Sequence, residues 1–480
     1  MTEPRRGPSD IDSPTPDGID LKDMSAQDKH ILRRAIAGSA LGNAVEWFDY
    51  GVYSYVAPCI ASAFFPGQFT LVATFAVLAL SFIFRPLGGF ILGPLGDRIG
   101  RQKVMVITII MMTIPTTLIG ALPTFAAAGI AAPILLLACR IVQGFSTGGE
   151  YGGAAVFMAE YAPDKRRGFF GSFLEFGTLT GTGGAALICT ILTIIVGTDG
   201  MAAGWWRLPF LLTLPLGGVA LWLRVRLKEP PVFSEAAGHH ETSEQPFRDL
   251  FRRYWRQIIL LVAFVVLLNI SDYMVLTYMP TYLSSVLGHS AIQSNFTLII
   301  IIAVMMVVIT PFGRLSDKVG RKPMLYTAAI GTIVLAIPAF LLIQSKTLLL
   351  QGLGIGILGL LLVIMLSSIS STLPAMFPTP VRYSRFAIGY NVSTANFGGT
   401  TAAVNEFMIK VTGSQLFPAW YLIGAGIVGL VGIIFMRETA GRSLRGAQLP
   451  GQNDVELVER GYDLIKPITG AIKVQKKVQK

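Results

Sequence analysis

Gly93–Lys103 reads GPLGDRIGRQK, and 220 positions later Gly313–Pro323 reads GRLSDKVGRKP, with Gly, Leu, Asp, Gly and Arg in register. Each copy is a charged break between two long apolar runs. A 480-residue chain that repeats such a break is read as the duplication of a membrane-spanning half. A weaker echo pairs YAPDKRRG from Tyr161 with FPTPVRYS from Phe377 and supports the same duplication.

Composition agrees. Apolar residues make up 52% of the chain and charged ones 14%, with mean hydropathy +0.60. Crossing roughly 30 Å of hydrocarbon takes about 20 apolar residues. On that measure the sequence predicts an all-α membrane protein of twelve spans, over 35–63, 70–95, 104–122, 131–160, 168–196, 207–226, 256–286, 292–315, 323–343, 347–376, 385–412 and 417–436. The expected organisation is a tail (1–34), a six-helix bundle (35–226), a central loop (227–255), a second six-helix bundle (256–437) and a tail (438–480).

A net charge of +11 raises the question of a nucleic-acid partner, and the placement of the cations answers it. Twenty-four arginines and lysines, among them Arg98, Arg101, Arg224, Arg314 and Arg321, flank the N-terminus, the even-numbered connections and the C-terminus; only Arg207, Lys346 and Lys410 fall on the other side. That is the positive-inside pattern of a multi-pass protein with both termini cytoplasmic. The expected partners are the lipid bilayer, protons and a small-molecule substrate, with no nucleic acid, and a monomer is the expected functional unit. Arg5 and Arg6 lead into no apolar stretch, so no secretory or twin-arginine signal is read there. Cys59, Cys139 and Cys189 lie singly within spans and read as packing residues.

Charge inside a span costs at least about 2.5–3.5 kcal/mol at the bilayer centre, so each instance needs a reason. The acids are Glu46, Asp49, Glu150, Glu175, Asp272 and Glu406; the bases are Arg85 and Arg140. Glu46 and Asp49 are three apart and share a helix face with Tyr50 and Tyr53. They read either as ion-pair partners of Arg85 or Arg140 that fix packing, or as a proton or substrate site. All four histidines lie outside the spans, so a proton relay would use carboxylates: Glu46, Asp49, Glu150 and Glu175, tuned by Arg140.

Arg140 opens the run Arg-x-x-Gln-Gly-x-x-x-Gly-Gly, whose small residues allow close helix approach, as do GTLTGTGG from Gly177 and NFGGT from Asn396. Trp47, Tyr50, Tyr53, Tyr273 and Tyr278 read as packing rings or as a cation–π cage. Arg85, Asn269, Asp272, Asn391 and Glu406, with Asn405, add polar groups able to hold a ligand. In the repeated loops, Asp97 beside Arg101 and Asp317 beside Arg321 suit a latch that forms in one state and breaks in the other; a fixed anchor is the alternative. No phosphate-cradling loop, nucleophile elbow, metal cluster or dinucleotide fingerprint is found, so no catalysis, cofactor, metal or ATP is expected.

The paired loops, the twelve spans and the Arg140 run together resemble the major facilitator superfamily. SALGNAVEWFDYGVY, FRPLGGFILGPLGDRIGRQKVM, GFSTGGEYGGAAVFMAEYAPDKRRGFFGSFLEFG, TYMPTYL and STLPAMFPTPVRYSRFAIGYNVS resemble its metabolite:proton symporter branch, and within that branch the bacterial proline/betaine carriers. The resemblance covers about residues 30–446. It implies two pseudo-symmetric six-helix bundles around a midplane cavity, in the cytoplasmic (inner) membrane of a bacterium. It implies proton-coupled import of a small zwitterionic osmolyte or amino acid such as proline, glycine betaine or ectoine. Two features depart from the pattern: Asp272 and Glu406 stand where those carriers have uncharged aromatic residues, and Asp454–Lys480 lacks a sustained coiled-coil heptad. Import of an organic acid (citrate, 2-oxoglutarate, shikimate) is the alternative, disfavoured by six in-span acids against two arginines. A transport-inactive sensor fits the intact in-span charges and both loops less well, and the direction and substrate of a drug-efflux antiporter conflict with the branch motifs.

Overall fold

A computed structural model describes residues 21–65, 70–227, 229 and 247–444. The predicted tails and central loop therefore lie largely outside the described residues, at 1–20, 230–246 and 445–480. The described residues contain no strand. A backbone in hydrocarbon has to satisfy its own N–H and C=O groups, and the helix does so within one segment.

The helices are α1 (Ala26–Tyr55), α2 (Thr70–Ile99), α3 (Arg101–Ala121), α4 (Ala131–Tyr161), α5 (Arg167–Gly200), α6 (Thr213–Val225, led by Arg207–Leu211), α7 (Phe247–Asp272), α8 (Ala291–Val319), α9 (Arg321–Ile343), α10 (Leu348–Thr372), α11 (Arg382–Ser393, resumed at Thr401–Thr412) and α12 (Phe417–Phe435). Among the described residues, ten helical stretches are long and apolar enough to cross a membrane. The two others are α1, diluted by its charges, and the interrupted α11. The order matches the twelve predicted spans. What the hydropathy runs do not predict is where α7 and α11 depart from α-geometry: α7 passes into π-helix at Tyr273–Tyr278, and α11 does so at Thr394–Gly398. Pro280 lacks the N–H an α-turn needs, and the backbone freedom of Gly398 and Gly399 weakens a regular α-turn.

Helices α1–α6 pack on one another (α1 on α5 and α6, α2 on α4, α3 on α4 and α6), and α7–α12 form a second set through α7–α12, α9–α10, α9–α12 and α8–α10. The sets meet along α2–α11 and α5–α8, with α10 against α5. Outward faces are apolar and bare: Ile195 and Leu349 are 71% exposed and Val307 73%, positions that suit acyl chains.

The small-residue run on α4 is a close-packing seam. A Cβ on Gly144 would lie 2.0 Å from the Ser81 carbonyl oxygen, and one on Gly148 2.1 Å from that of Arg85. Gly148 thus sets the height of the α2 turn that carries Arg85. By contrast, Gly218 on α6 faces open space. Gly148→Leu is expected to cost more than the 1–3 kcal/mol of ordinary overpacking, because backbone rather than side chain has to move. The check is the yield of monodisperse protein, which should collapse for Gly148→Leu and hold for Gly218→Leu.

Candidate functional site

Helix α1 turns Glu46, Trp47, Asp49, Tyr50 and Tyr53 toward the protein interior, all at or below 8% exposure. Asp49 accepts from Arg140 Nη1 at 2.7 Å, and the Arg140 guanidinium lies 3.8 Å from the centre of the Tyr53 ring. Of the two partners read for the α1 carboxylates, Asp49 takes Arg140. Tyr53 donates to the Thr74 carbonyl at 3.0 Å. Glu150 is clasped by both terminal nitrogens of Arg224, one at 2.9 Å and the other closer, and also accepts from Thr108. Read from sequence as a flanking cation, Arg224 is instead fully buried as the counter-ion of Glu150. Glu175 accepts from Tyr151 (2.6 Å), Thr178 (3.1 Å) and, across the seam, Ser370 of α10 (2.9 Å).

A second group has no such closure. The Trp47, Tyr50, Phe82 and Tyr273 rings form a box, with centroids 6.0 Å apart for Trp47–Tyr273, 5.6 Å for Phe82–Tyr273 and 5.7 Å for Tyr50–Phe82. Arg85 lies in it, 4.1 Å from the Phe82 centroid and 4.7 Å from that of Tyr50, donating Nη1 to the Tyr273 hydroxyl at 3.3 Å. Tyr50 also pairs with Thr147 at 3.3 Å. Gly398 and Gly399 at the α11 break let this box close, since a Cβ there would lie 2.7 Å from the Tyr273 ring and 2.8 Å from that of Phe82.

Around the box, buried polar atoms of both signs lack hydrogen-bond partners: Arg85 Nε and Nη2, Trp47 Nε1, Glu46 Oε2, Asp272 Oδ1 and Ser271 Oγ. Each such atom costs about 1–3 kcal/mol. Donors and acceptors left open together match a ligand that carries both charges.

The structure does not bring every expected residue there. Glu406 is 37% exposed along its side chain, 3.7 Å from Lys410 and 3.3 Å from the Tyr278 hydroxyl, so it belongs to the end of α11 away from the repeated loops. Asn391 donates to the Gly148 and Ala387 carbonyls, both at 2.7 Å, and ties α11 to α4. Asn269 bonds within the second set, to Ser393 and Thr394. Phe82 was missed by sequence reading, although its position three before Arg85 places it on the same face.

On the basic face the repeated loops close the seam. Asp97, 3.2 Å from Arg101, accepts from the backbone N–H groups of Tyr383 (3.3 Å) and Ser384 (2.9 Å) at the start of α11. Asp317, 2.6 Å from Arg321, accepts from Gly168 (2.7 Å) and Phe169 (2.8 Å) at the start of α5. Each loop aspartate thus caps a helix of the other set, where the helix dipole and open N–H groups favour an anion. Glu160, missed from sequence, joins them: it lies 3.3 Å from Arg101 and 2.6 Å from Arg382 across the seam.

The loop glycines carry a second duplicated device. Gly100 and Gly320 have φ of 109° and 104°, a region that suits glycine, and start α3 and α9. Glu229 accepts from the N–H groups of Arg101 (3.0 Å) and Gln102 (3.1 Å), and Glu438 from those of Arg321 (3.0 Å) and Lys322 (2.9 Å). Burial pushes the Glu229 carboxyl up; its two backbone donors do not offset that, and the Glu160 charge adds to it. Partial burial also works to raise Glu438, but Thr439 and Ala440, at 2.9 Å each, bring its backbone donors to four and hold it below the ordinary carboxylate range. Deeper burial and the Glu160 charge leave Glu229 raised, while shallower burial and two more backbone donors leave Glu438 lowered.

Two helix sets that meet at a buried polar box and are latched across one face make this a membrane carrier. The Major Facilitator Superfamily profile matches residues 39–403. The chain is 40% identical over 464 residues to a proline/betaine transporter of Escherichia coli K12, covering 93% of this chain and 92% of that one. It is 40% identical over 467 residues, with the same coverage, to the glycine betaine/proline/ectoine/pipecolic acid transporter OusA of Dickeya dadantii. Among solved structures, a proton:xylose symporter, XylE, bound to 6-bromo-6-deoxy-D-glucose superposes with TM-score 0.70 at 18% identity, covering 87% of this chain and 98% of that one. The chain belongs to the major facilitator superfamily, in the family that contains those proline/betaine transporters.

A carboxyl held below its unfolded value stabilises the fold above that value and ceases to do so as pH falls through the folded one. Glu438, with an ordinary value of 4.5, is therefore expected to contribute a loss of thermal stability as the purified protein is acidified below about pH 4.5. Glu438→Gln should remove that component; a pH–Tm profile unchanged by the substitution would rule it out.

Proposed function

We propose that this carrier imports a small zwitterion, such as proline, glycine betaine or ectoine, together with protons, by alternating access in a bacterial cytoplasmic membrane. The observation that carries the reading is the aromatic box with unmatched donors and acceptors of both signs, in a chain 40% identical to proline/betaine transporters. Arg85 takes the substrate carboxylate; Trp47, Tyr50, Phe82 and Tyr273 face its cationic nitrogen. Glu46, the Asp49–Arg140 pair and Glu175 handle the proton. Glu150, with its charge committed to Arg224, holds α4 against α6.

The bundles are assigned to 35–226 and 256–437, each working in a monomer, with both termini and the repeated loops cytoplasmic. Moving one charge through 100 mV releases about 2.3 kcal/mol, which sustains roughly a 50-fold gradient of a zwitterion. The coupling is therefore energetically sufficient.

Labelled proline, glycine betaine and citrate, offered to cells lacking their own carriers, test the reading. The zwitterions are expected to accumulate and citrate not; a protonophore should abolish accumulation. Undiminished concentrative uptake after collapse of the proton gradient would overturn symport.

Because Asp97 and Asp317 cap helices across the seam rather than touch the box, Asp97→Asn and Asp317→Asn should alter the conformational step. Turnover is expected to fall about tenfold or more while the substrate Kd changes less than threefold, a helix-cap contact being worth roughly 0.5–2 kcal/mol. Loss of binding ahead of turnover would place the two aspartates in the site instead.

A further inference from the structure

Asp272 is the last residue of α7 before its π-turn, 5% exposed, with Oδ1 unpartnered. It precedes Tyr273, whose ring forms one wall of the box and whose hydroxyl bonds Arg85. Glu175, on α5 of the first set, already accepts three hydroxyl donors, whereas Asp272, on α7 of the second, keeps Oδ1 open.

The open atoms of Arg85 are equally specific. Nε and Nη2 form one edge of the guanidinium and match the two oxygens of a carboxylate, while Nη1 is held by Tyr273. A zwitterion anchored there by its carboxylate puts its nitrogen among the rings. A fully methylated nitrogen gains cation–π attraction and nothing more directional. A nitrogen bearing N–H gains, in addition, a charge-assisted hydrogen bond to a carboxylate that otherwise remains unpaired.

We infer that Asp272 is the specificity-determining residue of this site: it hydrogen-bonds the substrate nitrogen and selects zwitterions whose ammonium carries N–H over those whose nitrogen is fully methylated. The inference rests on the zwitterion reading above and adds the class of nitrogen to it. It also makes the bound substrate a bridge between Arg85 on α2 and Asp272 on α7, one from each helix set.

A ligand series with constant ring and carboxylate tests this on the purified full-length protein in lipid nanodiscs. Proline, N-methylproline and N,N-dimethylproline carry two, one and no N–H, and competition against labelled proline gives each Kd. The native protein should bind them in that order, with about a tenfold loss across the series. Asp272→Asn should flatten the series by weakening proline while leaving the dimethyl compound within about threefold; Asp272→Glu should keep part of the slope. A flat series in the native protein overturns the inference without any mutant. So does a slope that survives Asp272→Asn, since steric rejection of methyl groups would then account for it. If Asp272 served only to carry the proton, the substitution would abolish accumulation of every substrate and leave the order of binding unchanged, which also overturns it. Failure of the native protein to bind any of the three ligands would instead sink the zwitterion reading underneath.

Discussion

An ionised side chain within hydrocarbon has to find an opposite charge, and the protein meets that demand almost everywhere. Asp49 has Arg140, Glu150 has Arg224, and Glu160 has both Arg101 and Arg382. Removing one partner from such a buried pair typically costs 3–5 kcal/mol, so these contacts fix which helices stay together. Among the described residues Arg85, Glu46, Asp272 and Glu175 form no ion pair: Glu175 is satisfied by three hydroxyl donors, while the other three, all at or below 5% exposure, keep polar atoms unmatched. The proposed substrate site is the place where buried charges are left without either a counter-ion or a full set of hydrogen bonds.

The basic face obeys a different economy. Asp97 and Asp317 reach across the seam to backbone N–H groups, a contact worth about 0.5–2 kcal/mol with some help from the helix dipole. That is far weaker than a buried ion pair, which is what the proposed latch requires of a contact broken in each transport cycle. Duplication doubles it, because the loop glycines Gly100 and Gly320 impose the same backbone turn in both halves. The Glu160 link adds to one half only, so the two latches differ in strength despite their shared sequence.

The twelve helices and the position of the repeated loops between them are legible in the sequence because each depends on local quantities: hydropathy over about 20 residues and a repeated motif. Pairings are not. Arg224 lies 74 residues from Glu150, and at the edge of its span it read as a flanking cation. Glu160 stood at the edge of the fourth span and escaped the tally of in-span charge. Glu229 falls in the stretch read as the central loop and Glu438 in that read as the C-terminal tail, though each completes a helix start more than 110 residues away. Glu406 looked equivalent to Asp272 by composition, yet only Asp272 is buried next to the box. Depth along a helix and direction around it, rather than residue type, separated the two.

Helices α11 and α5 join the latch to the site. The N-terminus of α11 is held by Asp97 at Tyr383 and Ser384, and 14 residues on, about 21 Å at 1.5 Å per residue, its π-turn presents Gly398 and Gly399 to the Tyr273 and Phe82 rings. The N-terminus of α5 is held by Asp317 at Gly168 and Phe169, and two turns further Glu175 receives Ser370 across the seam. A rigid helix transmits a displacement at one end to the other, whereas a π-turn can exchange its hydrogen bonds at small cost. In the proposed cycle, closure of the rings on a substrate and release of the aspartate from the helix start are two ends of one element. For α11 the break in regular helix lies beside the Tyr273 and Phe82 rings, so under the proposed reading a substrate acts on the irregular part of the helix and the latch on its regular start.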